Sequence, residues 1–159
     1  MTELRSVGIG QIVIVRAPEQ LACIGLGSCV AVIMFDPIAK LGGIVHVLLP
    51  NAPTNHPDNP EKYADTGTKK LLQEMLSKGA RKERIVVKLV GGAQMFPSMN
   101  LYVKDIGKAN CVEVWKVLRE LGIRVVAEDI EGGRGRSAFL DTNTGRVTVK
   151  SAFAERRIL

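Results

Sequence analysis

Residues 29–35 read CVAVIMF and residues 43–49 read GIVHVLL, and these two segments decide the fold class. Both are rich in valine and isoleucine, and their apolar residues are continuous rather than alternating with polar ones. Continuous apolar runs of this length are typical of strands that are covered on both faces. Two shorter apolar runs, residues 11–16 and 21–26, precede them and are also predicted to be strands. The first third of the chain is therefore predicted to be mostly β-structure.

Helices and further strands are predicted after a proline-rich segment. Residues 50–60, PNAPTNHPDNP, contain four prolines and are expected to form a surface loop. Apolar residues recur at helical spacing over residues 62–78 and 110–121, and Asn110 and Glu113 have the spacing of a capping box at the start of the second helix. Further strands are predicted at residues 85–90, 123–130, 137–141 and 146–150, the last two as a hairpin. Because strands outnumber helices and the helices cluster in the middle, the pattern indicates an α+β fold of packed sheets with helices outside.

The composition is that of one globular domain over residues 1–159, with 46% hydrophobic and 24% charged residues. No apolar run approaches the roughly 20 residues of a membrane-spanning helix. Residues 1–5 also lack the pattern of a signal peptide, so we expect a cytoplasmic location and no membrane insertion. The net charge of +6 favours acidic partners. Dispersed basic residues and an aromatic content of 4% argue against nucleic-acid binding.

The three cysteines, Cys23, Cys29 and Cys111, do not form a disulfide framework or a metal-binding pattern. Their number is odd, and no pair has the C-x-x-C spacing of a zinc site. Only His46 and His56 could supplement them as ligands. No metal site is therefore expected.

Residues 25–29, GLGSC, are the most informative chemically. Two glycines and a serine interrupt an apolar pattern directly before Cys29, and the backbone N–H groups freed near Gly27 and Ser28 could stabilise an oxyanion. His46 lies in an apolar strand, where an imidazole must be hydrogen-bonded, and cysteine with histidine is the minimal pair for thiolate catalysis. A buried core cysteine and a structural histidine would explain the same residues, so the pattern alone leaves both interpretations open.

A resemblance to a known family decides between them. Residues 25–37 (GLGSCVAVIMFDP) and 42–50 (GGIVHVLLP) strongly resemble the CheD family of chemoreceptor glutamine deamidases. The resemblance continues in order through KYADTG at residues 62–67, GGAQMF at 91–96, DIGKAN at 105–110 and AEDIEGGRGRS at 127–137. It implies an α+β fold of two packed mixed or antiparallel sheets flanked by helices, in the order α/β/β/α. That fold is similar to the catalytic domain of bacterial toxins that deamidate glutamine.

The resemblance also implies the chemistry and the partners. The chain would be a cysteine amidohydrolase without a cofactor, in which Cys29 is the nucleophile and His46 its base. Its substrates would be glutamines on the cytoplasmic helices of methyl-accepting chemoreceptors, which it would convert to glutamate through a thioester on Cys29. A CheC-type phosphatase of the response regulator CheY is an implied partner. The alternative is that the chain is chiefly a regulatory partner of that phosphatase.

One position departs from the family pattern. The family's third catalytic residue is a threonine six positions before the cysteine, and Cys23 occupies that position here. A thiol is a weaker hydrogen-bonding group than a hydroxyl, so we expect His46 to be held less firmly or by a backbone carbonyl instead.

The remaining polar candidates are assigned structural or surface roles. His56 is expected to be exposed in the proline-rich loop, Cys111 to be a packing residue, and Asp65 to lie at the N-terminus of a helix. Residues 132–136, GGRGR, lack the lysine and hydroxyl of a Walker-type phosphate site and are predicted to be a mobile basic loop that meets an acidic receptor.

Overall fold

The continuously apolar segment after Cys29 forms strand β4 (Val30–Asp36), every residue of which is buried. The structure, a computed structural model, describes residues 3–95, 105–151 and 156–159. The other strands are β1 (Leu4–Ser6), β2 (Ile12–Arg16), β3 (Gln20–Leu26), β5 (Leu41–Val47), β6 (Val86–Gly91), β7 (Arg124–Ile130), β8 (Arg136–Asp141), β9 (Val147–Ser151) and β10 (Arg157–Ile158). The α-helices are α1 (Ala64–Ser77) and α2 (Ile106–Leu121), and short 3₁₀-helices span Pro60–Lys62 and Lys82–Arg84.

Strand β4 is the middle strand of a five-stranded sheet with the order β2-β5-β4-β6-β7, here called the central sheet. It pairs antiparallel with β5 and with β6, and β7 extends the sheet in parallel to β6. Both β4 and β5 are buried along their whole length. The two strands predicted from continuous apolar sequence are therefore confirmed, as is their coverage on both faces.

The second sheet has the order β1-β3-β8-β9-β10 and is here called the outer sheet. Strands β8 and β9 form the predicted hairpin, with Leu140 opposite Val147 and a left-handed Gly145 in the turn. Burial alternates along β8, and this alternation is typical of a sheet with only one face on the core. The outer sheet therefore packs on the central sheet with one face and leaves the other more exposed.

Both α-helices pack on the face of the central sheet that is turned away from the outer sheet. One apolar cluster joins α1 and α2 to the central sheet, and a second fills the space between the two sheets. The α+β class with two mixed sheets is confirmed. The predicted order α/β/β/α differs from that of the described residues, which form α/β/β. Both helices bury their apolar stripes against the same sheet, and no second helical layer is found in the described part of the chain.

Helix α2 begins one turn earlier than predicted. Asp105 caps it, and its carboxylate accepts a hydrogen bond from the Lys108 N–H at 3.0 Å. The predicted capping box at Asn110 is wrong, because Asn110 is fully buried inside the helix and its side chain binds elsewhere. The predicted end is confirmed, since Gly122 adopts the left-handed conformation with φ 72°. Neither α-helix has the length and apolarity needed to cross a membrane.

Candidate active site

Cys29 lies directly before β4, where the strand leaves the loop of residues 25–28. Its side chain is 7% exposed and belongs to the apolar cluster between the two sheets, together with Ala31 and Ile33. Because side chains alternate along a strand, these three residues point from the central sheet toward the outer sheet.

His46 lies on β5, the strand next to β4, and its side chain shares a face with Ile44 in the same inter-sheet layer. Ala31 is directly opposite His46, so Cys29, two residues before Ala31, is the diagonal neighbour of His46. Diagonal neighbours on antiparallel strands lie about 7–8 Å apart, within reach of long side chains. The fold therefore brings the two predicted residues to adjacent strands and to one face.

The imidazole of His46 is held by a backbone carbonyl. Its Nδ1 lies 3.1 Å from the carbonyl oxygen of Val7. Since a carbonyl only accepts, Nδ1 carries the proton and Nε2 carries the lone pair. Nε2 is buried and has no hydrogen-bond partner within the described residues. Burial lowers the pKa of His46 more than the Val7 carbonyl raises it, so the ring is a neutral base with a free lone pair.

Cys23 lies on β3, across the inter-sheet layer from His46, and is fully buried. Its Sγ is 3.8 Å from Nδ1 of His46 and 3.6 Å from the carbonyl oxygen of Val7. The carbonyl is the closer and stronger acceptor for the ring, so the expectation that a backbone group holds His46 is confirmed. Burial, together with nearby Cys29, raises the pKa of Cys23 to about 12, which keeps this thiol protonated.

The loop before Cys29 is anchored through three consecutive carbonyl groups. The bonds join Gly27 O to Ala93 N at 2.9 Å, Ser28 O to Asn110 Nδ2 at 2.9 Å, and Cys29 O to Gly92 N at 2.8 Å. The N–H groups of Ser28 and Cys29, in contrast, donate to no backbone carbonyl and to no side chain of another residue in residues 3–95, 105–151 or 156–159. Backbone donors that are fixed but unused next to a nucleophile are what an oxyanion hole requires.

Gly91 and Gly92 explain why the Cys29 N–H is unused. A regular antiparallel pairing of Cys29 with Gly92 would use the N–H and the carbonyl of both residues. Both glycines have positive φ, +116° and +69°, and the Gly92 carbonyl faces Gly107 on α2 instead of Cys29. A Cβ at Gly91 would overlap the Cys29 carbonyl oxygen, and one at Gly92 would overlap the sulfur of Cys111. Only glycine fits at these two positions.

Two opposing effects act on the Cys29 thiol. Burial raises its pKa, and the residue's own backbone N–H, which lies near the sulfur, lowers it by less. The net shift is upward, while that of His46 is downward. The pair is therefore expected to rest as a neutral thiol and a neutral imidazole rather than as an ion pair.

Residues 132–136 were predicted to be a mobile basic loop, but the Arg136 side chain holds this segment through hydrogen bonds. Arg136 is 8% exposed, and its guanidinium forms an ion pair of 2.6 Å with the Asp129 carboxylate. The same guanidinium donates to the backbone carbonyls of Asp129, Glu131 and Arg134. Met95 packs between this loop and the one before Cys29, close to Gly27 and Gly135. Arg136, the first residue of β8, thus links the segment of residues 132–135 to the end of β7.

The other sequence candidates lie apart from the Cys29–His46 pair, as predicted. His56 is exposed in the proline-rich loop, and Cys111 is buried in α2. Asp65 lies in the first turn of α1 and accepts hydrogen bonds from the N–H groups of Ala52 and Thr66. In the described part of the chain, no three metal-binding side chains cluster together.

Two residues of the site were not identified from the sequence. Val7 contributes only its backbone carbonyl, so the type of residue at this position does not indicate the role. Asn110 did leave a signal, because it stands four and eight residues before Val114 and Leu118, on the buried stripe of α2. An amide on such a stripe needs a hydrogen-bond partner in the interior.

Comparison with known proteins assigns the family. Residues 48–151 match the family described as CheD chemotactic sensory transduction. The chain belongs to the CheD family. A probable chemoreceptor glutamine deamidase CheD of Caldanaerobacter subterraneus subsp. tengcongensis is 41% identical over 94% of this chain and 94% of its own length. The chemoreceptor glutamine deamidase CheD of Thermotoga maritima is 42% identical over 91% of this chain and 89% of its own.

These CheD relatives align beyond the range of the family match, over more than nine-tenths of this chain. The family resemblance seen in the sequence is thereby confirmed. Among solved structures, the hypothetical protein YfiH of Bacillus licheniformis has a TM-score of 0.49 and 14% identity, over 82% of this chain and 59% of that one.

Substitution of Gly91 by alanine should disrupt the anchored loop. Backbone strain and overlap with Cys29 O should together lower the free energy of unfolding by roughly 2–6 kcal/mol. Gly25→Ala is the matched control, since Gly25 also has positive φ but open space around it, and should cost only about 1–2 kcal/mol. Urea denaturation followed by circular dichroism measures both. Equal losses for the two variants would contradict the proposed role of Gly91.

Proposed function

We propose that this CheD-family chain deamidates glutamine side chains of chemoreceptors. The observation that carries the proposal is an identity of 41–42% to relatives named as chemoreceptor glutamine deamidases, over at least 91% of the chain. The proposed targets lie on the cytoplasmic helices of methyl-accepting receptors. Conversion of an amide to a carboxylate there adds a negative charge and creates a site that can be methylated.

The proposed nucleophile is Cys29 and the proposed base is His46. Nε2 of His46 takes the thiol proton as Sγ attacks the carboxamide carbon, and the carbonyl electrons move onto oxygen. The carbon–nitrogen bond then breaks, and the His46 imidazolium gives its proton to the leaving ammonia, which leaves a thioester on Cys29. A water molecule, deprotonated by His46, adds to the thioester carbon. The carbon–sulfur bond breaks, glutamate is released, and the thiol regains its proton.

The backbone around the sulfur supports this assignment. The attacked oxygen becomes negative in both tetrahedral intermediates, and the unused N–H groups of Ser28 and Cys29 are suited to stabilise it. The carbonyls that share a peptide plane with these N–H groups, Gly27 O and Ser28 O, are already bonded to Ala93 and Asn110, so the donors need no rearrangement during the reaction. No cofactor takes part in the proposed steps.

Removal of the sulfur should abolish the reaction. Receptor co-expressed with the unmodified chain should gain about one dalton at specific glutamines, as expected for amide-to-acid conversion through a thiolate nucleophile. Cys29→Ala should leave those glutamines unchanged in peptide mass spectrometry. Cys111→Ala is the matched control, because Cys111 is also buried but lies in α2, and should retain modification. Full deamidation by Cys29→Ala would overturn the assignment.

The activity should depend on pH through the neutral form of His46. A base acts when deprotonated, so kcat/KM should rise with pH through the His46 pKa. Burial lowers that pKa below its ordinary value of about 6.5, so the midpoint of the rise should lie below about pH 6.5. Initial rates on a receptor fragment across the acidic range measure it, and exposed His56→Gln should leave the profile unchanged. A midpoint clearly above that value would mean that the imidazole is stabilised as a cation.

Cys23 should be dispensable although it occupies the family's threonine position. The Val7 carbonyl lies 3.1 Å from Nδ1, whereas the Cys23 sulfur lies at 3.8 Å. A neutral thiol contact contributes less than about 1 kcal/mol, so Cys23→Ala should lower kcat by no more than about fivefold. His46→Ala in the same assay should lower it by at least about a hundredfold, in the range of lost general-base catalysis. A loss for Cys23→Ala as large as that for His46→Ala would show that the thiol orients the ring.

The partnership with a CheC-type phosphatase stays a prediction of the sequence resemblance, as does recruitment to receptor arrays in the cytoplasm. Both concern surfaces of the chain, and neither changes the chemistry proposed for Cys29. Binding and catalysis can therefore coexist in one chain.

A further inference from the structure

Asn110 is a fully buried amide in the second turn of α2, on the stripe that faces the central sheet. Burial of a primary amide is costly unless hydrogen bonds replace those lost to water. Its neighbours along this stripe, Val114 and Leu118, are apolar and also fully buried. Packing alone would favour a leucine or valine at position 110, so the amide calls for a different explanation.

Both amide protons of Asn110 are used on backbone carbonyls. Nδ2 donates to Ser28 O at 2.9 Å and to Leu48 O at 3.1 Å. The orientation of the amide is fixed by chemistry, because two carbonyl oxygens accept and only the NH₂ group has two donors. Oδ1 is left buried without a partner in the described part of the chain, which is a cost to stability.

These two carbonyls lie where β4 and β5 separate. The last pair of the ladder is Val30 with Val47, and the N–H of Leu48 then turns to the carbonyl of Lys62. Asn110 bridges the opening from the residue before Cys29 to the second residue after His46. The single side chain thus joins the segments that carry the proposed nucleophile and the proposed base.

The bond to Ser28 O has a consequence for the Cys29 N–H. In a planar trans peptide the carbonyl of one residue and the N–H of the next point in opposite directions. By holding Ser28 O toward α2, Asn110 directs the Cys29 N–H away from α2. That N–H is one of the two donors proposed for the oxyanion, and it lies near the Cys29 sulfur.

We propose that Asn110 is a positioning residue of the deamidation reaction, which clamps the Ser28–Cys29 peptide to the end of β5 and so aims the oxyanion donor. The inference rests on the proposed function, since it assigns that donor to the attacked carboxamide. Asn110 itself does not touch the substrate. Its effect on turnover passes through the orientation of the Cys29 peptide.

The test compares Asn110→Leu with Val114→Ala, a control that weakens the same helix stripe but leaves the clamp intact. Both are assayed on a receptor fragment at a temperature where urea denaturation shows each to be folded. Asn110→Leu should lower kcat by at least about tenfold and change KM by less than about threefold, because the donor acts in the transition state. Val114→Ala should keep kcat within about threefold of the unmodified chain. Equal kcat values for the two variants would overturn the inference.

A second measurement needs no receptor and separates this inference from the proposed function. The rate of Cys29 alkylation by iodoacetamide is followed against pH by mass spectrometry of the Cys29 peptide. Loss of the clamp should move the midpoint for Asn110→Leu upward, since the N–H that stabilises the thiolate is no longer held near the sulfur. An unchanged midpoint would count against Asn110, whereas deamidation by Cys29→Ala would count against the function itself.

Discussion

The candidate site depends on one constraint, the anchoring of the carbonyl groups of Gly27, Ser28 and Cys29 by donors from other elements. Each donor comes from a segment far away in sequence, so the loop before Cys29 takes its shape from the assembled fold. Because these carbonyls are bonded, the N–H groups of Ser28 and Cys29 have fixed directions, and neither bonds to another residue in the part of the chain that the structure describes. The central sheet, the paired glycines at the end of β6 and helix α2 all contribute to this arrangement.

The proposed base, His46, is held by a similar use of backbone groups. Val7 belongs to the segment after β1, and its carbonyl fixes the tautomer of His46 across the inter-sheet layer. This agrees with the expectation, drawn from the family resemblance, that a backbone carbonyl holds the ring where Cys23 replaces a threonine. A side-chain hydroxyl and a backbone carbonyl both accept the Nδ1 proton, so the substitution removes one of two possible acceptors and leaves the other. We therefore expect the orientation of His46 to depend little on the identity of residue 23.

Those parts of the fold that follow from local patterns could be predicted from the sequence. The continuous apolar runs predicted β4 and β5, while the shared face of Cys29 and His46 followed only from the strand register. The start of α2 could not be located from Asn110 and Glu113, because a buried asparagine resembles a cap when only spacing is considered. The order of the layers could not be predicted either, since an apolar stripe shows that a helix is covered but not which sheet covers it. Arg136 was assigned to a mobile loop for a related reason, because its partners are mostly backbone carbonyls.

Burial of the Cys29 thiol has a consequence for its reactivity towards oxidants. A sulfur that stays protonated at rest is a poor target for peroxides and electrophilic metabolites, which attack thiolates. Cysteine enzymes that keep a permanent thiolate are exposed to such damage between turnovers. Here the reactive anion would form only when a carboxamide is in place and His46 can take the proton. Latency would thus protect the proposed nucleophile from oxidation between turnovers.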